Sequence, residues 1–138
     1  MTSRRAILLA AVALAPVPLA ALLADGRTDA LDMVAPLAAA LSSDERDGAG
    51  WNPPRDLPNA AELRTNIDAM MAQAVVASSI DVLSVESGKA ELDWFMQIRS
   101  RSSATLVEQR RGTIKIAWTK KRLTQLEPAS LFAPPKVG

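Results

Sequence analysis

The spacing of apolar side chains changes near residue 75, and this change constrains the fold more than any other feature of the chain. Before it, apolar residues recur at helical intervals, as Leu63 and Ile67 do. After it they occupy alternate positions, as Leu92 and Trp94 do. A period of 3.6 residues indicates an amphipathic helix, and a period of 2 indicates a strand with one buried face. The sequence therefore predicts helices followed by strands.

Two helices are predicted in the first half. The first starts at Thr28, a favourable N-cap, and continues to about Leu41, with Pro36 expected to kink or split it. The second follows Asn59, whose side chain and that of Glu62 have the spacing of a capping box. The Gly- and Pro-rich stretch between the two helices predicts a loop.

Four strands joined by short turns are predicted in the second half. They lie near residues 76–84, 90–99, 105–119 and 122–127. Gly112, in the middle of the third strand, predicts a bulge or bend of the kind that a curved sheet requires. Helices followed by an antiparallel meander make an α+β fold, with N-terminal helices packed on a curved four-stranded sheet.

Composition allows one domain and excludes several chemistries. The 138 residues, of which 49% are hydrophobic, suffice for a single buried core. The chain has no Cys, His or Tyr. Disulfides, thiolate zinc sites and histidine proton transfer are therefore excluded. No catalytic, metal or cofactor motif is found, so we predict no catalytic residues, no metal site and no cofactor.

The first 24 residues have the pattern of an export signal. A short basic start with Arg4 and Arg5 precedes an uncharged apolar run from Ala6 to Leu23. The stretch 3–8 also resembles the twin-arginine export motif. Cleavage after Ala24 would leave residues 25–138 as the mature domain, exported to the periplasm or secreted from a bacterium. The alternative is an uncleaved N-terminal membrane anchor.

The mature domain is close to electrically neutral, which predicts no binding to nucleic acid and membrane contact only through the N-terminal segment before cleavage. Its charges are nevertheless divided, because residues 25–98 are mainly acidic and residues 99–138 mainly basic. The basic part could bind anions. The alternative is that acidic and basic strands pair across the sheet.

Several stretches resemble the nuclear transport factor 2-like superfamily, also called ketosteroid-isomerase-like, and in particular its exported bacterial members. These are residues 61–64, 78–83, 91–94, 108–114 and 126–135. The resemblance implies a cystatin-like cone, in which a curved sheet wraps around helices and leaves a pocket at its open end. It implies no particular reaction, since the superfamily includes both enzymes and binding proteins. Pro36 and Lys121 depart from the family pattern.

The first functional hypothesis is a non-catalytic binding or interaction module with an apolar pocket for a small ligand. Six side chains on the inner sheet face are candidates for lining that pocket: Trp94, Met96, Ile98, Ile114, Ile116 and Trp118. The alternative for this stripe is a filled core.

A second hypothesis is a carboxylate-dependent isomerase, dehydratase or hydrolase on the same fold. Asp81, Asp93 and Glu108 are in or near strands, and a carboxyl group facing an apolar cone would have a raised pKa. Alternation places Asp81 and Asp93 on the outer face, where pairing with Arg99, Arg110 or Lys115 is the simpler role.

A third hypothesis is a homodimer formed through the outer sheet face. Phe95 and Leu83 are apolar residues among the polar residues expected there. Isolated apolar residues on a surface are also common in monomers.

Overall fold

The computed structural model describes residues 17–43 and 51–136, and it has an α+β fold. Two helices precede a four-stranded antiparallel sheet, and a short 3-10 helix follows the last strand. The elements are α1 (Val17–Leu41), α2 (Ala60–Gln73), β1 (Ala74–Glu86), β2 (Lys89–Ser100), β3 (Leu106–Thr119), β4 (Arg122–Glu127) and the 3-10 helix (Ala129–Phe132). The basic start and the twin-arginine-like stretch of the predicted export signal lie outside the described residues.

Helix α1 begins earlier than predicted and is not divided. Thr28 is an interior residue rather than the N-cap, because the helix is already present at Val17. The Ala- and Leu-rich run before Thr28 favours helix and outweighs the local capping signal. Pro36 lies inside the helix with an exposed side chain and does not split it. Among the residues that the structure describes, no helix combines the length and apolar character needed to cross a membrane.

Helix α2 begins at the predicted position, but the capping box is absent. Asn59 is the N-cap residue and makes no side-chain cap hydrogen bond. Its Nδ2 instead donates to the carbonyl oxygen of Leu126 at 2.9 Å. One turn further along, Asn66 Nδ2 donates to the carbonyl oxygen of Ala129 at 3.0 Å. Both amides are therefore used to attach α2 to the end of the chain.

The sheet is the predicted meander, with strand order β1-β2-β3-β4 and antiparallel neighbours. Gly112 lies opposite Trp94 in regular register, so the predicted bulge at this glycine is wrong. Register shifts occur elsewhere, including one between Ala117 and Trp118. Gly112 is instead a place of close approach, because a Cβ atom there would lie 2.8 Å from Leu131 Cδ1.

The alternate apolar residues of β2 are buried beneath the helices, as their spacing predicts. Trp94 is fully buried and packs edge-to-face against Phe132 of the 3-10 helix, with ring centroids 5.1 Å apart. Its indole N–H donates to Ser78 Oγ at 3.0 Å. No polar or charged residue of the described ranges is buried. The interior beneath the helices is therefore apolar.

Arg101 joins the ends of several elements at the turn after β2. Its Nε donates to the carbonyl oxygen of Met71 at 2.9 Å, and its Nη2 donates to those of Ser43 and Ala74 at 3.1 and 3.2 Å. The last carbonyls of a helix have no partner within the helix, so a guanidinium group placed there satisfies them.

Candidate functional site

The structure divides the six predicted pocket residues into two sets. The four at the centre of the sheet are fully buried core residues: Trp94, Met96, Ile98 and Ile114. They line none of the cavities described below. Ile116 is also buried but borders a shallow cavity of about 290 Å³, and Trp118 is half-buried and lines another cavity. Among the three cavities given for the described residues, no single one is lined by all six.

The cavity at Trp118 brings α1 and the β3–β4 turn together. We call it the Trp118 groove, and its volume is about 280 Å³. It is lined by Asp29, Asp32 and Met33 of α1 together with Trp118, Lys120 and Lys121. The β1–β2 turn reaches the same end of the sheet, since the backbone N–H of Trp118 donates to the carbonyl oxygen of Gly88 at 2.9 Å.

Trp118 lies on the same sheet face as Ile114 and Ile116, because β3 alternates regularly through this stretch and the extra residue at the register shift, Thr124, belongs to β4. Beyond the shift, Trp118 pairs with Leu123, which is buried, so both side chains belong to the inner face. Trp118 is near the end of the strand and keeps part of its surface exposed.

The two lysines of the groove have an unfavourable backbone conformation. Lys120 has a φ of 53° and Lys121 a φ of 61°. A two-residue hairpin with positive φ at both positions normally contains Asn-Gly, because a Cβ atom is disfavoured there. Strained residues of this kind concentrate at functional sites. The chain therefore retains two positive charges where glycine would be less strained.

The groove also contains charges that are not paired with each other. Asp29 and Asp32 are exposed on one side, and Lys120 and Lys121 are exposed on the other. Within the described ranges, none of the four forms an ion pair within 4.0 Å. The two sides thus present opposite charges to the space above Trp118.

Two of the three strand carboxylates of the enzyme hypothesis, Asp81 and Asp93, lie elsewhere, on the outer face, whereas Glu108 is opposite the buried Ile98. Asp81 and Asp93 are directly opposite each other on β1 and β2. Arg111, rather than one of the predicted partners, pairs with Asp93, its Nε lying 3.0 and 3.1 Å from the two carboxylate oxygens. This hydrogen bond lowers the pKa of Asp93. Asp93 therefore stays ionised, held by an arginine.

Glu108 pairs with an arginine of its own strand, a contact that the sequence did not predict. Arg110 Nε and Nη2 donate to its two carboxylate oxygens at 2.8 and 2.9 Å. These bonds lower the pKa of Glu108. A general acid that works near neutral pH needs a raised pKa, so this pair does not resemble a catalytic carboxyl group. In the described part of the chain, no group of three or more acidic side chains could hold a metal ion.

Comparison with known proteins finds no match among family models, curated proteins or solved structures. The nuclear transport factor 2-like resemblance consequently depends on the sequence stretches given above and stays a prediction. The structure itself shows an α+β fold with helices packed on one face of the sheet.

Sequence reasoning identified Trp118 but missed the charged residues around it. The sequence alone assigned no functional role to Asp29, Asp32, Lys120 or Lys121. One signal was available. A two-residue hairpin turn without Gly, Asn or Asp is unusual and indicates that its side chains are needed.

Proposed function

We propose that this chain is an exported, non-catalytic binding module whose ligand site is the Trp118 groove. The observation that carries the proposal is a half-buried tryptophan at the end of the apolar interior, bordered by unpaired acidic and basic side chains. Small-molecule sites combine apolar and aromatic surface with a few placed polar groups, and this groove has the first in Met33 and Trp118 but a larger share of charged groups than is usual.

The volume of the groove restricts the size of the ligand. About 280 Å³ is slightly below the range of roughly 300–1,000 Å³ that small-molecule sites occupy. A metabolite-sized compound fits this space, whereas a long lipid chain would need an opening into the core. The full burial of Trp94 and its neighbours argues against such an opening.

A larger cavity of about 470 Å³ lies at the β2–β3 turn, and it is a weaker candidate. Its one charged side chain is Arg101, which already donates to the carbonyl oxygens of Met71, Ser43 and Ala74. The remaining polar groups are mostly serine and threonine hydroxyls that bond to one another, as Ser103 and Thr105 do at 2.8 Å. These groups have little capacity left for a ligand.

The non-catalytic part of the proposal is supported by the state of the strand carboxylates. Asp93 and Glu108 each have a lowered pKa because an arginine donates to them. A carboxylate-dependent enzyme on this fold would need one such group free of a basic partner and facing the pocket. The enzyme alternative therefore has less support than the binding module.

Export is supported by the order of the basic start and the uncharged run in residues 2–24. The full chain should be expressed in a bacterial host and the periplasmic fraction collected for N-terminal sequencing. We expect a processed protein that starts near Asp25. Recovery of only full-length chain in the cytoplasm would contradict export and leave the groove unaffected.

The binding site can be tested with 8-anilinonaphthalene-1-sulfonate, an apolar fluorescent probe with one negative charge. We expect the folded protein to bind the probe and Trp118→Leu to weaken binding by about tenfold or more, which corresponds to about 1.4 kcal/mol. Phe95→Leu, on the opposite sheet face, is the matched control and should bind as the native chain does. Equal binding by Trp118→Leu and the native chain, with both variants shown to be folded by circular dichroism, would overturn the proposal.

A further inference from the structure

We infer that the Trp118 groove binds a small zwitterion, with an alkylammonium group toward Asp29 and Asp32 and an anionic group toward Lys120 and Lys121. This inference rests on the proposed function, because it names the ligand class of the same site. It is drawn from the arrangement of four unpaired charges around one aromatic surface.

The acidic side of the groove is suited to a cation. Asp29 and Asp32 are three residues apart on α1, a spacing that places both on the same face of a helix. They border Trp118, and an indole ring attracts alkylammonium groups through its quadrupole. Carboxylates beside an aromatic surface therefore provide both charge and contact area for a methylated or alkylated ammonium group.

The basic side of the groove is suited to an anion. Lys120 and Lys121 are adjacent in a two-residue turn and are both exposed. An ammonium group is a compact charge that binds phosphate or carboxylate without demanding a planar geometry. Their positive φ angles hold the turn in a conformation that glycine would adopt with less strain. A need for charge at this position would account for lysine.

The separation of the two sides favours a ligand that carries both charges. Asp29 and Asp32 line the same space as Lys120 and Lys121, yet no carboxylate oxygen lies within 4.0 Å of either ammonium nitrogen. A simple cation or anion would be attracted to one side and repelled by the other. A zwitterion with its charges several bonds apart would satisfy both sides at once.

Phosphocholine is the probe, and choline and inorganic phosphate are its two halves. Binding of each to the full chain is measured by calorimetry at low ionic strength, where screening is weak. We expect phosphocholine to bind about tenfold or more tightly than either half, a difference of about 1.4 kcal/mol.

Two double variants separate the two ends of the ligand. Asp29→Asn with Asp32→Asn should weaken phosphocholine and choline binding, whereas phosphate, relieved of like-charge repulsion, should bind no less tightly. Lys120→Gln with Lys121→Gln should weaken phosphocholine and phosphate binding, whereas choline should bind no less tightly for the same reason. Glu91→Gln with Lys115→Gln, which changes the neighbouring 290 Å³ cavity, is the matched control and should have no effect.

The zwitterion inference fails if phosphocholine binds no more tightly than its halves, or if both double variants bind all three compounds as the native chain does. The fluorescent probe then separates the two proposals. If probe binding still depends on Trp118, the groove remains the site and only the ligand class is wrong. If probe binding does not depend on Trp118, both proposals are wrong.

Discussion

Arg110 and Glu108, two residues apart on β3, form a two-point ion pair in which Nε donates to Oε2 at 2.8 Å and Nη2 donates to Oε1 at 2.9 Å. The remaining nitrogen, Nη1, donates to the carbonyl oxygens of Leu131 and Ala133 at 2.7 and 2.6 Å. Arg110 therefore attaches the C-terminal 3-10 helix to the sheet. That helix carries Phe132, which packs against Trp94 in the core.

Replacing Arg110 should destabilise the protein markedly. Arg110→Met leaves two carbonyl oxygens and the Glu108 carboxylate without their donor, and hydrogen bonds of this charged kind contribute about 1.5–3 kcal/mol each to stability. Glu108 is partly exposed and water can replace some of the lost bonds, so the bonds do not add in full, and we expect the free energy of unfolding, measured by urea denaturation, to fall by about 2–3 kcal/mol. Arg111→Met removes an ion pair whose arginine is 67% exposed and bonds to no backbone carbonyl among the contacts described, so it is the matched control and should have a smaller effect. Equal losses in the two variants would contradict this account.

The same ion pair should make stability depend on acid pH. The pKa of Glu108 is lowered in the folded protein by hydrogen bonds from Arg110, so the pair stabilises the folded state above the pKa of the unfolded chain. That stabilisation is lost as the pH falls through the lower folded pKa, so unfolding should become easier below about pH 4.3, the usual Glu value. Glu108→Gln should reduce the pH dependence of the free energy of unfolding in this range. If the free energy of unfolding of Glu108→Gln falls with pH as steeply as that of the native chain, other carboxylates, such as Asp93, cause the acid sensitivity.

Ala104 offers a stabilising substitution at the β2–β3 turn. Its φ is 61°, a conformation that disfavours any residue with a Cβ atom, and its side chain is exposed. We expect Ala104→Gly to raise the free energy of unfolding by about 0.5–1 kcal/mol. Ala77→Gly, at an exposed position inside β1, is the matched control and should lower it by a similar amount. Destabilisation by Ala104→Gly would contradict the turn geometry.

The homodimer through the outer sheet face stays a prediction. Phe95 is half-buried on this face between Ser79 and Arg111, and Leu83 on β1 is 56% exposed. We expect sedimentation velocity to show a dimer whose fraction rises with protein concentration, and Phe95→Glu to remain monomeric. Lys120→Glu, on the other side of the sheet, should not affect association. A native chain that is monomeric at every concentration would rule out the homodimer hypothesis.

The fold could be predicted largely from local spacing. Alternation from Leu92 to Ile98 identified the buried face of β2, and the turn at Gly88 was identified by its glycine, which has a φ of 75°. These signals are local, because the two periods and the turn chemistry depend on neighbouring residues alone. The start of α1 was missed because a capping residue such as Thr28 indicates a helix start only where the preceding residues disfavour helix.

Features that depend on distant residues could not be predicted. Gly112 is needed because Leu131 lies above it, and nothing near Gly112 in the sequence distinguishes that contact from a bulge. The Trp118 groove likewise requires α1 and the β3–β4 turn to meet at one end of the sheet. Alternation placed Trp118 on the inner face correctly. Alternation could not show that the neighbouring core residues would be fully buried while Trp118 kept an exposed surface.

The most direct test of the proposed site is an NMR titration of the three indole N–H signals with 8-anilinonaphthalene-1-sulfonate. The chain has three tryptophans, so each signal can be assigned by a single Trp→Phe variant. Trp94 is buried with its N–H bonded to Ser78, whereas Trp118 borders the groove. We expect the Trp118 signal to shift with probe concentration and the Trp94 signal to stay in place. A shift of Trp94 without a shift of Trp118 would place the ligand inside the core and contradict a binding site in the Trp118 groove.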